Sequence, residues 1–337
     1  LTNPSDRAGV VAIGRNEGER LKLCLDSLTG RGYPVIYVDS GSIDGSVELA
    51  SSMGATVLAL DSSKTFCPAR ARNEGYLELL RLDPAVQYVQ FIDGDCSIAE
   101  EWLETAAAFL DANPSYAAVC GRRRERHPEA SIYNRLCDME WNTPVGSAKA
   151  FGGDALIRVS AFRQVEGYSP DILAGEDEEL CLRLRRAGWK IARIDAEMAV
   201  HDAAMMRFSQ WWRRAQRAGQ AYAQGYALHG RSPDRHFARD CARIVGWGFV
   251  LPATAILLSW WTGGLSFLLA CFYPLLAVRI YRAKRRKGWD RPASGWYAIF
   301  TVLAKFPALV GLVGVYLRPL FGRSQSLIEY KQPVRFS

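Results

Sequence analysis

The chain has 337 residues, 49% of them apolar and 11% aromatic, with a formal net charge of +7. This content excludes a disordered chain and leaves core material for one large or two ordinary domains. The positive balance suits an anionic ligand or an anionic membrane surface, whereas nucleic acid is not expected, because Lys and Arg are dispersed and cluster only around 207–217 and 282–287. The eight cysteines are scattered without a C-x-x-C pair, so neither a zinc site nor a disulfide framework is indicated, and reduced thiols facing the cytosol are expected. Leu1–Asp6 lacks a basic-then-apolar targeting pattern.

In chain order, Gly9–Ile13 predicts a first strand, then a loop at Gly14-Arg15-Asn16-Glu17 and a helix with Leu21, Leu25 and Leu28 on one face. Pro34–Val38 predicts a second strand that ends in Asp39-Ser40-Gly41-Ser42, where Ser42 or Asp44 can cap the next helix. Ala55–Leu60 predicts a third strand, and Cys67–Asn73 enters a helix bearing Leu77 and Leu80. The fourth strand is the apolar run Tyr88, Val89, Phe91 and Ile92, which stops at Asp93-Gly94-Asp95. Short strands alternating with helices predict an α/β fold with a mostly parallel sheet and flanking helices. No G-x-G-x-x-G follows the first strand, so a dinucleotide site is not supported.

Parallel strand ends share one edge, where ligands bind. Asn16, Glu17, Asp39, Asp93 and Asp95 are therefore expected to converge, with Arg70 and Arg72 adding positive charge from the third crossover. Asp93 and Asp95, a D-x-D pair around Gly94, can hold a hard divalent cation against a diphosphate. A polar Asp-Gly turn after a strand carries the same signature.

Further on, Tyr116–Cys120 predicts a strand, Arg122–Arg126 a solvated charge run, and 131–150 an irregular stretch. Gly152 and Gly153 permit close backbone approach to a ligand. Glu176, Asp177, Glu178 and Glu179 open a helix whose apolar face is Leu180, Leu184 and Ala187. The helix dipole favours acids there, which accounts for them as caps and equally would keep Asp177 ionised as a general base. Trp189–Ile194 predicts a strand, followed by His201, either a structural imidazole or a ligand that Mn²⁺ tolerates beside carboxylates.

Six motifs in order resemble family-2 glycosyltransferases of the GT-A fold over roughly residues 8–230: Val11–Glu17, Val38–Ser46, Ala69–Gly75, Phe91–Asp95, Phe151–Arg158 and Gly175–Leu180. The resemblance implies an inverting hexosyltransferase that uses a nucleotide-diphosphate sugar with Mg²⁺ or Mn²⁺. By position, Asp39 would bond the nucleobase and Asp93 the ribose or a metal-bound phosphate, while Asp95 would ligate the metal. Glu176 and Asp177 match the family's E-D pair, with Asp177 as the base, and His201 matches a metal-ligating His. Asn16, Glu17, Arg70, Arg72, Gly153, Gln210 and Arg213 complete the expected nucleotide-sugar site. Processive members carry Q-x-x-R-W; here Gln210 and Arg213 are kept but Arg214 stands in place of Trp, which favours transfer of one sugar.

The last hundred residues point to a membrane. No charge occurs between Ile244 and Val278, which predicts two short spans, 244–262 and 265–281, turning at Gly263-Gly264. The basic run from Arg282 to Lys287 puts both ends, and the catalytic domain, on the cytosolic side of the inner membrane. Trp296–Leu317 contains Lys305 and Pro307 and is expected as a kinked helix in the interface, with a third span as the alternative. Arg207–Tyr226 is expected as an amphipathic helix with Trp211 and Trp212 at the bilayer surface. The expected domains are thus 1–230 for catalysis and 231–337 for membrane association, with a lipid-linked or membrane-proximal glycan as acceptor. The alternatives are a non-catalytic nucleotide-sugar-binding subunit of a polysaccharide export assembly and a processive polysaccharide synthase.

Overall fold

A computed structural model of the chain describes residues 7–322 and 326–330; the Leu1–Asp6 segment lies outside them. The chain divides into two compact units, the first ending at Ala204 and the second covering Met205–Tyr330.

The first unit alternates strand and helix. Its opening elements are β1 (Ala8–Gly14), α1 (Glu19–Asp26), β2 (Val35–Asp39), α2 (Ser46–Ser52), β3 (Thr56–Ala59), α3 (Pro68–Leu82) and β4 (Tyr88–Asp93). They are followed by β5 (Cys96–Ile98), α4 (Trp102–Ala112), β6 (Tyr116–Glu125), α5 (Ile132–Trp141), β7 (Gly146–Ser147), β8 (Ala155–Arg158), α6 (Val159–Gln164), α7 (Glu176–Arg186) and β9 (Lys190–His201). One nine-stranded sheet runs β3-β2-β1-β4-β8-β6-β9-β5, with β7 on β9. β3, β2, β1 and β4 are parallel. Beyond β4 the sheet becomes mixed, with β8 antiparallel to both neighbours and β6 parallel to β9. β1 and β4 are buried almost throughout because helices cover both faces, which is why they lack polar alternation. At the core Trp102 is buried, and its indole N–H donates to the buried Gln90 side chain at 2.8 Å. α3 lies so close to the sheet that a Cβ on Gly75 would come within 2.6 Å of Val11 and Val38 methyls.

Three expectations for this unit need correction. The charge run from Arg122 to Arg126 is not simply solvated: β6 continues through Glu125, and Arg122 and Glu125 are buried. Register shifts at Arg122 explain this, since a bulge breaks the two-residue alternation and lets both side chains turn inward. Residues 131–150 are irregular only in their second half, where β7 is the one short exception, because Ser131 caps α5 by accepting the Asn134 N–H at 3.0 Å and the helix runs to Trp141. The strand expected at Trp189–Ile194 extends to His201, held by β6 on one side and β5 on the other.

The second unit begins with α8 (Phe208–His229). Three further helices are long and apolar enough to cross a membrane: Ala238–Leu257, Leu265–Arg286 and Arg291–Leu320. The first lies earlier than the expected 244–262, because the helix already forms at Ala238 and breaks after Leu257, while the second starts at Leu265 as expected and runs on to Arg286. The third, of 30 residues, contains the helix expected at Trp296–Leu317 and is long and apolar enough for the spanning placement that was the alternative there. Pro307 does not disqualify it, because a new helical segment starts at Lys305 and a proline in a first turn lacks no needed N–H. Trp211 does not face lipid; it is buried with its ring edge-on to Phe300 at 4.8 Å. α8 and the third helix touch backbone to backbone, since a Cβ on Gly219 would meet the Ala308 carbonyl and one on Gly311 the Gln216 carbonyl. All eight cysteines are free thiols; seven are buried, and Cys271 is exposed.

Gly75→Ala should destabilise the chain, although alanine gains roughly 1 kcal/mol of helix propensity over glycine. Overpacking of a tight core costs about 1–3 kcal/mol, so the expected outcome is a lowered thermal midpoint, measured by calorimetry on the detergent-purified protein.

Candidate active site

Register alone gathers the first groups. Asp39 ends β2 opposite Gly14 of β1, and Asp93 ends β4 opposite Ile13 of β1, so both carboxylates leave the sheet at one edge. Asp39 turns back on its own loop, accepting the Gly41 and Ser42 N–H groups at 2.9 and 2.8 Å. Asn16 ties the first loop to the second: its N–H donates to Ser42 Oγ at 2.9 Å and its Oδ1 accepts the Ile43 N–H at 2.8 Å. Glu17 pairs with Arg20 at 3.0 Å. Arg70 faces away from the carboxylates, bonding Glu74 at 2.5 Å and the carbonyls of Asp61 and Lys64.

Arg72 is the hub. Its guanidinium is buried, with Nη2 donating to Asp93 Oδ1 at 2.9 Å and Nη1 to Glu176 Oε1 at 2.7 Å. Asp177 Oδ1 lies 3.7 Å from the same Nη1 and accepts the Tyr168 hydroxyl at 3.4 Å. Burial by itself would lower the Arg72 pKa, yet Asp177, Asp93, Tyr168 and Glu176 hold it well above the ordinary value. Burial pushes the Asp177 carboxyl well above the usual carboxylate range, Arg72 works against this, and Glu176 and Glu178 reinforce it. The dipole of α7 therefore does not alone set the charge of Asp177. Gly153 gives these groups their space: a Cβ there would stand 2.7 Å from Asp93 Oδ2 and 3.0 Å from Arg72 Nη2.

A second cluster forms where β9 meets β5 and β6. Cys96 pairs with His201 across β5 and β9, and Glu125 pairs with His201 across β6 and β9. Asp95 Oδ1 consequently lies 3.4 Å from His201 Nε2, and Glu125 Oε2 lies 3.7 Å from His201 Nδ1. All three side chains are buried, and His201 Nδ1 makes no hydrogen bond. Glu125 is itself anchored, accepting the N–H groups of His127 and Ala203. Trp141 of α5 packs edge-on against the imidazole at 4.6 Å. Asp95, Cys96 and His201 form a group of potential metal ligands. A carboxylate and an imidazole suit a divalent first-row cation, while the soft thiol of Cys96 does not suit a hard one. Burial also pushes that thiol well above its ordinary pKa, and it donates to Asp154 Oδ2 at 3.5 Å.

Two further residues join the clusters without having been assigned a role from sequence. Asp154 accepts the Asp93 N–H at 3.2 Å and pairs with Arg123 at 3.3 Å. Its place directly after Gly152-Gly153 was the available signal. Glu125 was hidden in the charge run. Gln210 and Arg213 belong to the second unit: Gln210 Oε1 caps α8, accepting the Met206 and Arg207 N–H groups, and Arg213 lines a cavity.

Comparison with known proteins fits this geometry. The family model "Glycosyl transferase family 2" matches residues 10–163, and "Glycosyl transferase family group 2" matches residues 88–310. The chain is 24% identical over 261 residues to glycosyltransferase AglE of Haloferax volcanii, covering 73% of this chain and 83% of that protein. It is 30% identical over 215 residues to the pre-mycofactocin glycosyltransferase of Mycobacterium tuberculosis, covering 60% of this chain but 44% of that protein. It is also similar in structure to the mannosyltransferase PcManGT of Pyrobaculum calidifontis, solved with GDP-Man and Mn²⁺. The TM-score is 0.59 at 22% identity, over 91% of this chain and 87% of that one, a likeness of GT-A fold. With a family model spanning most of its length, this chain belongs to the family-2 glycosyltransferases.

Proposed function

We propose that the chain is a metal-dependent, inverting hexosyltransferase that moves one sugar from a nucleotide-diphosphate sugar to a lipid-linked or membrane-proximal glycan. The observation that carries this reading is the separation of two buried clusters at neighbouring strand ends. One, around Arg72, holds Asp93, Glu176 and Asp177; the other pairs Asp95 with His201. The first supplies a base and the second supplies ligands.

In this reading Asp177 accepts the proton of the acceptor hydroxyl. The acceptor oxygen bonds to the anomeric carbon as the bond from that carbon to the diphosphate breaks, and the electron pair leaves on the phosphate oxygen. A raised pKa strengthens Asp177 as a base once it is ionised, and Arg72 preserves that ionised form. Glu176 fixes one end of the guanidinium and Asp93 the other, so the base is aimed by three elements at once. Asp93, beside Gly153, would bond ribose or phosphate. Asp39 and Asn16 shape the loops that would receive the nucleobase. Asp95 and His201 would hold the divalent ion, which when bound stabilises charge on the leaving diphosphate. The imidazole favours Mn²⁺ over Mg²⁺, whose preferred ligands are all oxygens. Because the chain carries three candidate spans, we assign it to the inner membrane with catalysis on the cytosolic side.

The first test is isothermal titration of the detergent-purified protein with UDP, GDP and dTDP, each with and without Mn²⁺. One nucleotide should bind in a metal-dependent way, and Asp95→Asn should abolish that dependence. No binding by well-folded protein would favour a non-catalytic subunit. Asp177→Asn should lower kcat by about 10²–10⁴-fold while nucleotide affinity stays within a factor of three, roughly. Because protonation disables the base, the wild-type rate should fall with acidification, along a limb centred above the ordinary carboxylate range. Glu125→Gln should weaken Mn²⁺ binding about 10–100-fold, as loss of an imidazole's partner does elsewhere. Titration of free Mn²⁺ by electron paramagnetic resonance reads this directly.

A further inference from the structure

A cavity of about 260 Å³ opens in the second unit between α8, the end of the third apolar helix and the extended segment Ser326–Glu329. Its polar wall carries Arg213, Gln220, Arg318 and Glu329, and its apolar wall carries Val310, Val315 and Leu327. Ser326 fastens the segment on both sides: its carbonyl accepts from Gln220 Nε2 at 3.0 Å and its hydroxyl from Arg318 Nη1 at 3.1 Å. Gln220 is only 3% exposed, and its Oε1 makes no hydrogen bond. A buried amide oxygen without a donor is destabilising, so a ligand that brings an O–H or N–H is favoured. Two guanidiniums in the same wall ask for an anion, and the fork geometry of arginine suits phosphate.

The location narrows the anion. Arg318 lies in the last turn of a 30-residue apolar helix. A guanidinium in the last turn of an apolar helix avoids hydrocarbon by reaching to the head-group level, whether the helix spans the bilayer or lies in its interface. Val310, in the cavity wall, is an exposed apolar side chain over which a lipid chain can leave.

We propose that this cavity binds the head of a membrane lipid that combines a phosphate with a hydroxyl-bearing substituent. Arg213 and Arg318 take the phosphate, Gln220 Oε1 and the Glu329 carboxylate accept from the hydroxyls, and the lipid chain leaves past Val310. Both a phosphoglycerol lipid and a polyprenyl-linked sugar phosphate have this chemistry. The proposal concerns binding alone and does not require the transfer reaction proposed above.

The test is native mass spectrometry of the full chain released from detergent micelles, titrated with dioleoyl-phosphatidylglycerol, dioleoyl-phosphatidylcholine, a polyprenyl diphosphate sugar and soluble glycerol phosphate. Phosphatidylcholine has the same phosphate but no hydroxyl donor, and should bind at least tenfold more weakly than phosphatidylglycerol. Arg318→Ala, at a half-buried position, should weaken the hydroxylated lipids at least tenfold, and Gln220→Leu should erase the difference between the two phosphatidyl lipids. A tighter polyprenyl diphosphate sugar would identify the occupant as a glycan carrier, and a tighter phosphatidylglycerol as bulk lipid. Equal binding of both phosphatidyl lipids with no effect of Arg318→Ala would overturn the proposal. So would glycerol phosphate binding as tightly as phosphatidylglycerol, because the lipid chain would then contribute nothing.

Discussion

The first unit's chemistry depends on one buried cation. Arg72 reaches from α3 to Asp93 at the end of β4 and to Glu176 and Asp177 at the start of α7, elements far apart in sequence. A guanidinium taken out of water is expensive unless its donors are met, and a carboxylate taken out of water equally so. Neither side of the cluster is stable in that interior without the other. The shared burial also sets the electrostatics, since desolvation raises the Asp177 pKa and Arg72 works against that rise. Removing one partner from such a group typically costs 3–5 kcal/mol, roughly, because the remaining charge is stranded. The positions of β4, α3 and α7 are thus bound to one another by the same contacts that aim the base.

The metal-ligand cluster is built differently, by register. No long-range ion pair is needed to bring Asp95 beside His201, because the pairing of β5 with β9 places Cys96 opposite His201 and the preceding residue follows. The β6–β9 pairing then delivers Glu125 to the other ring nitrogen. A one-residue slip in either ladder would turn these side chains to the opposite face. Short β5 is held in place through the Asp202 N–H, which donates to the Asp95 carbonyl at 3.1 Å. Asp95 and His201 are therefore placed by backbone pairing, whereas Asp177, which we propose as the base, is placed by charge.

Much of this was legible in the residues, for identifiable reasons. β1, β2 and β4 are apolar runs that stop at polar residues, so both the strands and their functional ends announce themselves. Asp93, Asp95, Glu176 and Asp177 were visible because they fall in motifs that match a family in order, although a turn after a strand or the first turn of a helix favours acids on its own. The role of Arg72 was not, since nothing in Ala-Arg-Ala-Arg says which arginine turns inward; Arg70 and Arg72 differ only in which face of α3 they occupy. Glu125 was concealed by its charged neighbours and by the bulge that defeats alternation. Arg291–Leu320 was obscured by Lys305 and Pro307, which forbid a continuous apolar helix in a sequence reading yet fall at the junction of two helical segments.

The distribution of thiols carries a practical consequence. Cysteine reacts as the thiolate, and burial drives Cys24, Cys96 and Cys181 away from that form. With seven of eight side chains shielded, the native protein behaves toward an alkylating reagent as though it had a single cysteine, Cys271 on the second apolar helix. A maleimide fluorophore or spin probe would enter there without mutagenesis. Its quenching by lipid-borne or water-borne agents would measure how deep that helix sits in the bilayer of the untouched chain.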